Sequence, residues 1–131
     1  MSLLEQHNLV YDAMGDLRKL KEVALKFPKV TIVLNHLGGP GPVDQPAEKL
    51  DEWKENIAAL AEACPNVVVK CGGFQMVNGN MGLEKRPTPV GSEELCELVL
   101  PYYQHVIECF GPKRCMFGAF VIHTWVFWKV R

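Results

Sequence analysis

The sequence has no apolar run that approaches the ~20 residues required by a membrane-spanning helix. It also has little net charge, since 14 lysines and arginines face 15 aspartates and glutamates, for a formal charge of −1. The charges are interspersed, and no basic stripe is present that could neutralise phosphates. The sequence therefore predicts neither a membrane span nor a nucleic-acid partner, and is typical of a globular domain.

Paired cysteine motifs are missing as well. The five cysteines form no C-x-x-C pair, and their odd number is unlike a secreted disulfide framework. The start of the chain lacks the basic and apolar regions of a secretory signal, because Glu5 and Gln6 interrupt it early. We therefore expect reduced thiols and a cytoplasmic protein.

Short apolar runs alternate with amphipathic segments along most of the chain. Runs rich in valine, isoleucine and leucine predict strands, and apolar residues at three- and four-residue spacing predict helices. In the last helix, Ser92 is predicted as the N-cap and Pro101 as the site of a kink or a break. This alternation predicts an α/β fold with a parallel sheet and right-handed crossovers. The predicted strands are residues 9–12, 30–35, 67–71 and 114–117, and the predicted helices are residues 16–27, 47–63 and 92–110.

The segment at residues 31–40 carries the strongest functional signal. Its sequence, TIVLNHLGGP, is an apolar strand that stops at His36 and passes directly into a turn rich in glycine and proline. Parallel α/β enzymes carry their chemistry at the carboxyl ends of the strands, and histidine suits both catalysis and metal binding. A buried histidine that is hydrogen-bonded to the backbone is the structural alternative for His36.

Further polar residues lie at or near predicted strand ends. Asn35 and Lys70 are candidate substrate-binding residues, and Arg86, in the long loop after the third strand, is a candidate partner for a substrate carboxylate. Arg114 is a weaker candidate for the same role. Asp12 ends the first strand, where a catalytic role and a turn or capping role are equally compatible with the sequence. The remaining histidines are expected to have no role in the site, and His105 is expected on a helix surface.

Six segments in this order and at this spacing resemble the amidohydrolase-related proteins, also called amidohydrolase family 2. The segments are LVYD at 9–12, ALKFP at 24–28, TIVLNHLGGP at 31–40, the helix with Trp53, Leu60 and Ala61, PNVVVKCGG at 65–73 and FGPKRCMFG at 110–118. The resemblance implies a TIM (β/α)8 barrel, of which residues 1–118 would form roughly strands 5 to 8. Residues 119–131 form an apolar tail that matches nothing in the family.

The resemblance also implies roles for the residues of the site. It makes His36 the histidine that binds a divalent metal, zinc or manganese, or helps to polarise the substrate carbonyl. A catalytic zinc site generally takes about three protein ligands, so we expect this chain alone to hold no metal tightly.

Two family features are absent from the sequence. Family members carry a His-x-His pair on their first strand, and no His-x-His occurs in this chain. Some members carry a catalytic Asp on the last strand, where this chain reads Gly118-Ala119-Phe120. We therefore expect a partial copy of a longer enzyme, without its front half and with an unrelated end.

The resemblance implies hydrolysis of a lactone, or of another cyclic ester or amide, by attack of water on a polarised carbonyl. A decarboxylase is the alternative within the same superfamily. A catalytically inactive half-barrel or binding remnant is the alternative from another class, because half a barrel exposes two sheet edges that invite self-association. The expected partner is a small-molecule substrate.

Overall fold

A computed structural model describes residues 1–42, 45–73, 83 and 86–118. Four strands and three long helices alternate along it, preceded by one short helix. The helices are α1 (Ser2–Gln6), α2 (Leu17–Lys26), α3 (Ala47–Ala63) and α4 (Ser92–Phe110), and the strands are β1 (Tyr11–Ala13), β2 (Ile32–Leu34), β3 (Val67–Cys71) and β4 (Cys115–Phe117). Within the described residues, no helix is long and apolar enough to span a membrane. The predicted 119–131 tail lies outside the described residues.

The four strands form one parallel sheet in the order β1-β2-β3-β4. Asp12 is in register with Val33, Val33 with Val68, and Lys70 with Met116. Each crossover between neighbouring strands contains one of the three long helices, so the predicted α/β alternation and the parallel sheet are confirmed. Parallel pairing brings the carboxyl ends of all four strands to one edge of the sheet.

The predicted bounds of α3, β3 and α4 are confirmed, and the remaining strands are shorter than predicted. Asp16 lies outside α2 as its N-cap and accepts hydrogen bonds from the backbone of Arg18 at 2.9 Å and Lys19 at 3.3 Å. These two bonds lower the pKa of the Asp16 carboxyl below its ordinary value. Two details were wrong: Gly91, not Ser92, is the N-cap of α4, and α1 was not predicted.

The expected break at Pro101 is also absent, since α4 is one uninterrupted helix. Proline removes a single backbone donor from the helix, whereas the turns on its carboxyl side bury Tyr102, Val106 and Phe110. We infer that this burial outweighs the missing hydrogen bond and keeps the helix continuous.

The helices cover one face of the sheet, where the hydrophobic core lies. In β3, burial alternates: Val67, Val69 and Cys71 are buried, and the residues between them are partly exposed. Side chains of successive strand residues point to opposite faces, so Val68 and Lys70 point away from the helices. The same alternation and register place Asp12, Val33 and Met116 on that second face.

Arg114 ties two helix ends together and does not line the site. Its guanidinium donates to the carbonyls of Phe110 at 3.0 Å, Cys64 at 3.2 Å and Ala61 at 2.9 Å. These carbonyls lie at the carboxyl ends of α3 and α4, where a cation is favourable for the helix dipole. The suggestion that Arg114 pairs with a substrate carboxylate is therefore replaced by a structural role.

We predict that Arg114→Lys lowers the free energy of unfolding by about 1–3 kcal/mol, because lysine cannot reproduce the planar fork that bonds three carbonyls. Chemical denaturation of both proteins measures the difference. Arg18→Lys is the matched control, because Arg18 pairs with Glu52 at the surface and such pairs contribute little. Equal stabilities for the two variants would contradict the structural role of Arg114.

Candidate active site

A cavity of about 400 Å³ lies at the edge of the sheet where the strands end. Three of the four predicted site residues line it: Asn35, His36 and Lys70. Every strand contributes to the cavity, either directly or through the residues that follow it. Among the described residues, the lining is Asp12, Asn35, His36, Lys70, Gly72, Gly73 and Gly118.

His36 begins a left-handed turn directly after β2. The φ angles of His36, Leu37, Gly38 and Gly39 are 51°, 57°, 72° and 65°, so four consecutive residues are in the left-handed region. The Gly38 amide donates to Asn35 and the Gly39 amide to His36, at 3.0 and 2.9 Å. Left-handed backbone costs a non-glycine residue about 1–2 kcal/mol. Such strain persists only where surrounding contacts hold it, and it clusters at functional sites.

One of these contacts is the hydrogen bond of the His36 ring. Nδ1 of His36 lies 2.9 Å from the carbonyl oxygen of Gly72, at the end of β3. A carbonyl only accepts, so Nδ1 carries the proton, and the neutral ring has its lone pair on Nε2. In this form Nε2 suits metal ligation or acceptance of a proton. A hydrogen bond from Nε2 to a substrate carbonyl would require the doubly protonated ring.

Neighbouring groups leave no room for a side chain at either of the two glycines after β3. Gly73 has a φ of +73°, and a Cβ added to it would collide with Nδ1 of His36. A Cβ on Gly72 would collide with the carbonyl oxygen of Gly118. Gly73 therefore lets the histidine ring reach the strand end, and Gly72 leaves room for the carbonyl group of Gly118.

Lys70 and Asp12 form an ion pair across the second face of the sheet. Lys70 Nζ donates to Asp12 Oδ1 at 2.8 Å, so the pair passes over β2, which lies between their strands. The Lys70 side chain is 33% exposed and the Asp12 side chain 59% exposed. At this exposure the pair adds little stability, but it positions the ammonium group at the cavity.

Arg86 is not among the residues that line the cavity. Its side chain is exposed and donates to Glu94, in the first turn of α4, at 2.6 Å. Residues 74–82 and 84–85, which lead from the site to Arg86, lie outside the described residues. The substrate-binding role of Arg86 stays a prediction.

The described residues do not fit a metal ion by themselves. They contain no group of three or more histidine, cysteine, aspartate or glutamate side chains that could hold one. Burial raises the pKa of the Cys71 thiol to about 12, with contributions from its neighbour Cys115, so this thiol stays protonated at neutral pH. Burial also raises the pKa of Cys115. The site therefore contributes at most part of a ligand set.

Sequence reasoning did not select three residues that shape the site. Asp12 was left undecided, and Gly73 and Trp53 were noted as parts of the segments that resemble the family, without a role in the site. Two signals were available: Asp12 lies next to the carboxyl end of β1, beside β2, and the Gly-Gly pair follows a strand end directly. No local signal connects Trp53 to the turn at His36, because its hydrogen bond to the Leu37 carbonyl depends on how α3 packs.

Comparison with known proteins identifies the family. The amidohydrolase family model matches residues 1–119, and the chain belongs to this family. A curated relative, the uncharacterized protein y4mH of Sinorhizobium fredii, is 32% identical over 119 residues. That match covers 88% of this chain and 34% of the relative, so the chain spans about a third of the relative's length.

Solved structures show the same fold. Two crystal structures of an amidohydrolase from Burkholderia multivorans, one with bound HEPES and one with bound Zn, match with a TM-score of 0.70 and 24% identity. They cover 90% of this chain, which spans 40% and 39% of theirs. Amidohydrolase 2 from Bifidobacterium longum subsp. infantis matches with a TM-score of 0.54 and 23% identity, covering 88% of this chain and 36% of its own.

We predict that Gly73→Ala lowers the free energy of unfolding by about 1–3 kcal/mol and displaces the His36 ring, because the new Cβ meets Nδ1 and alanine disfavours the positive φ. Thermal unfolding and the His36 side-chain NMR signals measure the two effects. Gly91→Ala is the matched control, since a Cβ there meets nothing within 4 Å. An unchanged His36 signal in Gly73→Ala would show that the close approach is not needed.

Proposed function

We propose that this chain forms the carboxyl-terminal half of a TIM-barrel hydrolase that opens a lactone or a related cyclic ester or amide. The cavity at the strand ends carries the proposal, because it joins an oriented histidine, His36, with a positioned ammonium group, Lys70. Membership of the amidohydrolase family supports hydrolysis. The four parallel strands with helices on one face support half of an eight-stranded barrel.

In the proposed reaction, the Nε2 lone pair of His36 accepts a proton from the attacking water. The water oxygen bonds to the carbonyl carbon, and the carbonyl oxygen becomes negatively charged. Lys70 lies at the same cavity and donates to this oxygen, which stabilises the charge as it develops. The ring C–O bond then breaks, and the leaving oxygen takes the proton from His36, so that lactone and water give a hydroxy acid. Asn35 binds the substrate through its side-chain amide.

The proposal refines the role of His36. The resemblance implied that this histidine helps to polarise the carbonyl, whereas the Nδ1–H tautomer presents an acceptor on Nε2. Nothing in the family match favours the decarboxylase alternative. The hydrolytic assignment therefore depends on a base at Nε2 and a cation at Lys70.

A divalent metal, zinc or manganese, is part of the proposal for the whole protein, and a solved relative has bound Zn. When that metal is bound, His36 would supply one ligand through Nε2 in place of acting as the base, and the other ligands would come from beyond the described residues. We also propose a cytoplasmic location. All five cysteines are free thiols in the structure, as expected of a reducing compartment.

A non-catalytic half-barrel is the second candidate for the isolated chain. One of the described histidines lines the cavity, and the edge strands β1 and β4 carry exposed apolar residues, among them Tyr11 and the 90%-exposed Phe117. Exposed apolar edges favour association with another strand. In this reading the 131-residue chain self-associates and does not turn over substrate.

We predict that His36→Gln lowers lactone hydrolysis by about 10²–10⁴-fold, since glutamine cannot accept the proton from water. A panel of five- and six-membered sugar-acid and aromatic-derived lactones, assayed by acid release with the full chain, measures the rate. His7→Gln is the matched control, because His7 is exposed and lies outside the cavity. Hydrolysis at the wild-type rate in His36→Gln would refute the role of His36 as a base.

Gel filtration combined with the lactone assay separates the two candidates. A soluble species that hydrolyses a lactone supports the enzyme, whatever its metal content. A stable self-associated species that hydrolyses none of the panel supports the non-catalytic half-barrel.

We expect Lys70→Met to lower the rate of lactone hydrolysis by about 10²–10³-fold, because the developing oxyanion loses its donor.

A further inference from the structure

Trp53 reaches from α3 to the turn that carries His36. Its indole Nε1–H donates to the carbonyl oxygen of Leu37 at 3.1 Å, and its side chain is only 5% exposed. Leu37 directly follows His36 and has left-handed φ and ψ angles of 57° and 19°. The carbonyl direction of a residue depends on its ψ angle, so this bond holds the peptide plane next to the histidine in its strained orientation.

The turn is thus held from two sides. On the sheet side, the His36 ring bonds to Gly72 at 2.9 Å. On the helix side, Trp53 holds Leu37, whose side chain is fully buried. Gly38, in the same turn, packs tightly against core side chains, because a Cβ there would lie 3.0–3.2 Å from Leu17, Ile57 and Leu34.

The indole is itself fixed by α4. Its ring centroid lies 5.9 Å from that of Tyr102 and 5.5 Å from that of His105. His105, expected on a helix surface, is half-buried, and its Nε2 lies 3.1 Å from the carbonyl oxygen of Lys54, to which it donates. The contact of α3 with α4 therefore fixes the position from which Trp53 donates.

We propose that Trp53 is a positioning residue for His36. Its N–H bond to Leu37 holds the left-handed turn, and the turn keeps the His36 ring where Nδ1 donates to Gly72 and Nε2 carries the lone pair. Trp53 does not touch substrate in this proposal. The inference rests on the proposed function only for its catalytic consequence, since the geometry it concerns is measurable without turnover.

The test replaces Trp53 by phenylalanine, which keeps a buried ring and removes the donor. The two ring nitrogens of His36 are observed by long-range ¹H–¹⁵N NMR of the full chain, which reports the tautomer directly. We expect the ratio of the Nδ1–H to the Nε2–H form to fall about fivefold, as for the loss of one ordinary hydrogen bond. Tyr102→Phe is the control, because it alters the same buried ring cluster and leaves the Trp53 donor in place.

A second replacement guards against unfolding of Trp53→Phe. Benzothienylalanine at position 53 keeps the shape of the bicyclic ring and exchanges only the N–H for sulfur. A lowered tautomer ratio in a folded variant, with Tyr102→Phe unchanged, supports the proposal. An unchanged ratio in a folded variant at position 53 overturns it. Absence of lactone hydrolysis in the wild type, with the tautomer still shifted by the replacement, would refute the proposed function and leave the positioning role standing.

Discussion

The structure depends on one constraint: the parallel sheet has to bury a row of side chains from its central strands, β2 and β3, under the helices. In β3 this row is Val67, Val69 and Cys71, all buried. The residues between them face away from the core, so a charged side chain can be placed there, and Lys70 occupies one of these positions. Because all strands run in the same direction, their last residues and the residues that follow them meet at one edge of the sheet. The cavity is a direct product of this arrangement.

The fold was largely predictable because its signals are local. A continuous apolar run, as in β2, is typical of a strand in a parallel sheet, and the apolar spacing in α3 is that of a helix packed on one face. The bounds of β1 and β2 were less predictable, since pairing with a neighbour decides where a strand ends. At Pro101 the local signal was misleading, because packing keeps α4 as one helix where proline by itself predicts a break.

The candidate site was predictable only in part. The position of His36 at a strand end indicated its importance, but its tautomer depends on Gly72, which lies 36 residues further along the chain. The ion pair of Lys70 with Asp12 joins residues 58 positions apart. Neither contact can be recognised from residues that are neighbours in the sequence, since both arise from the register of the sheet. The family resemblance, carried by short segments in a fixed order, was confirmed by the family match.

The left-handed turn has a consequence for the order of events in folding. Its stabilising partners, Gly72 and Trp53, come from a different strand and a different helix, at 36 and 16 residues from the groups they bond. Before β3 pairs with β2 and α3 docks, nothing offsets the strain at His36 and Leu37, and closing these long loops is itself unfavourable. We therefore expect the turn to form late in folding, with interactions that are still unformed in the transition state. Substitutions at the turn should accelerate unfolding and leave the folding rate almost unchanged.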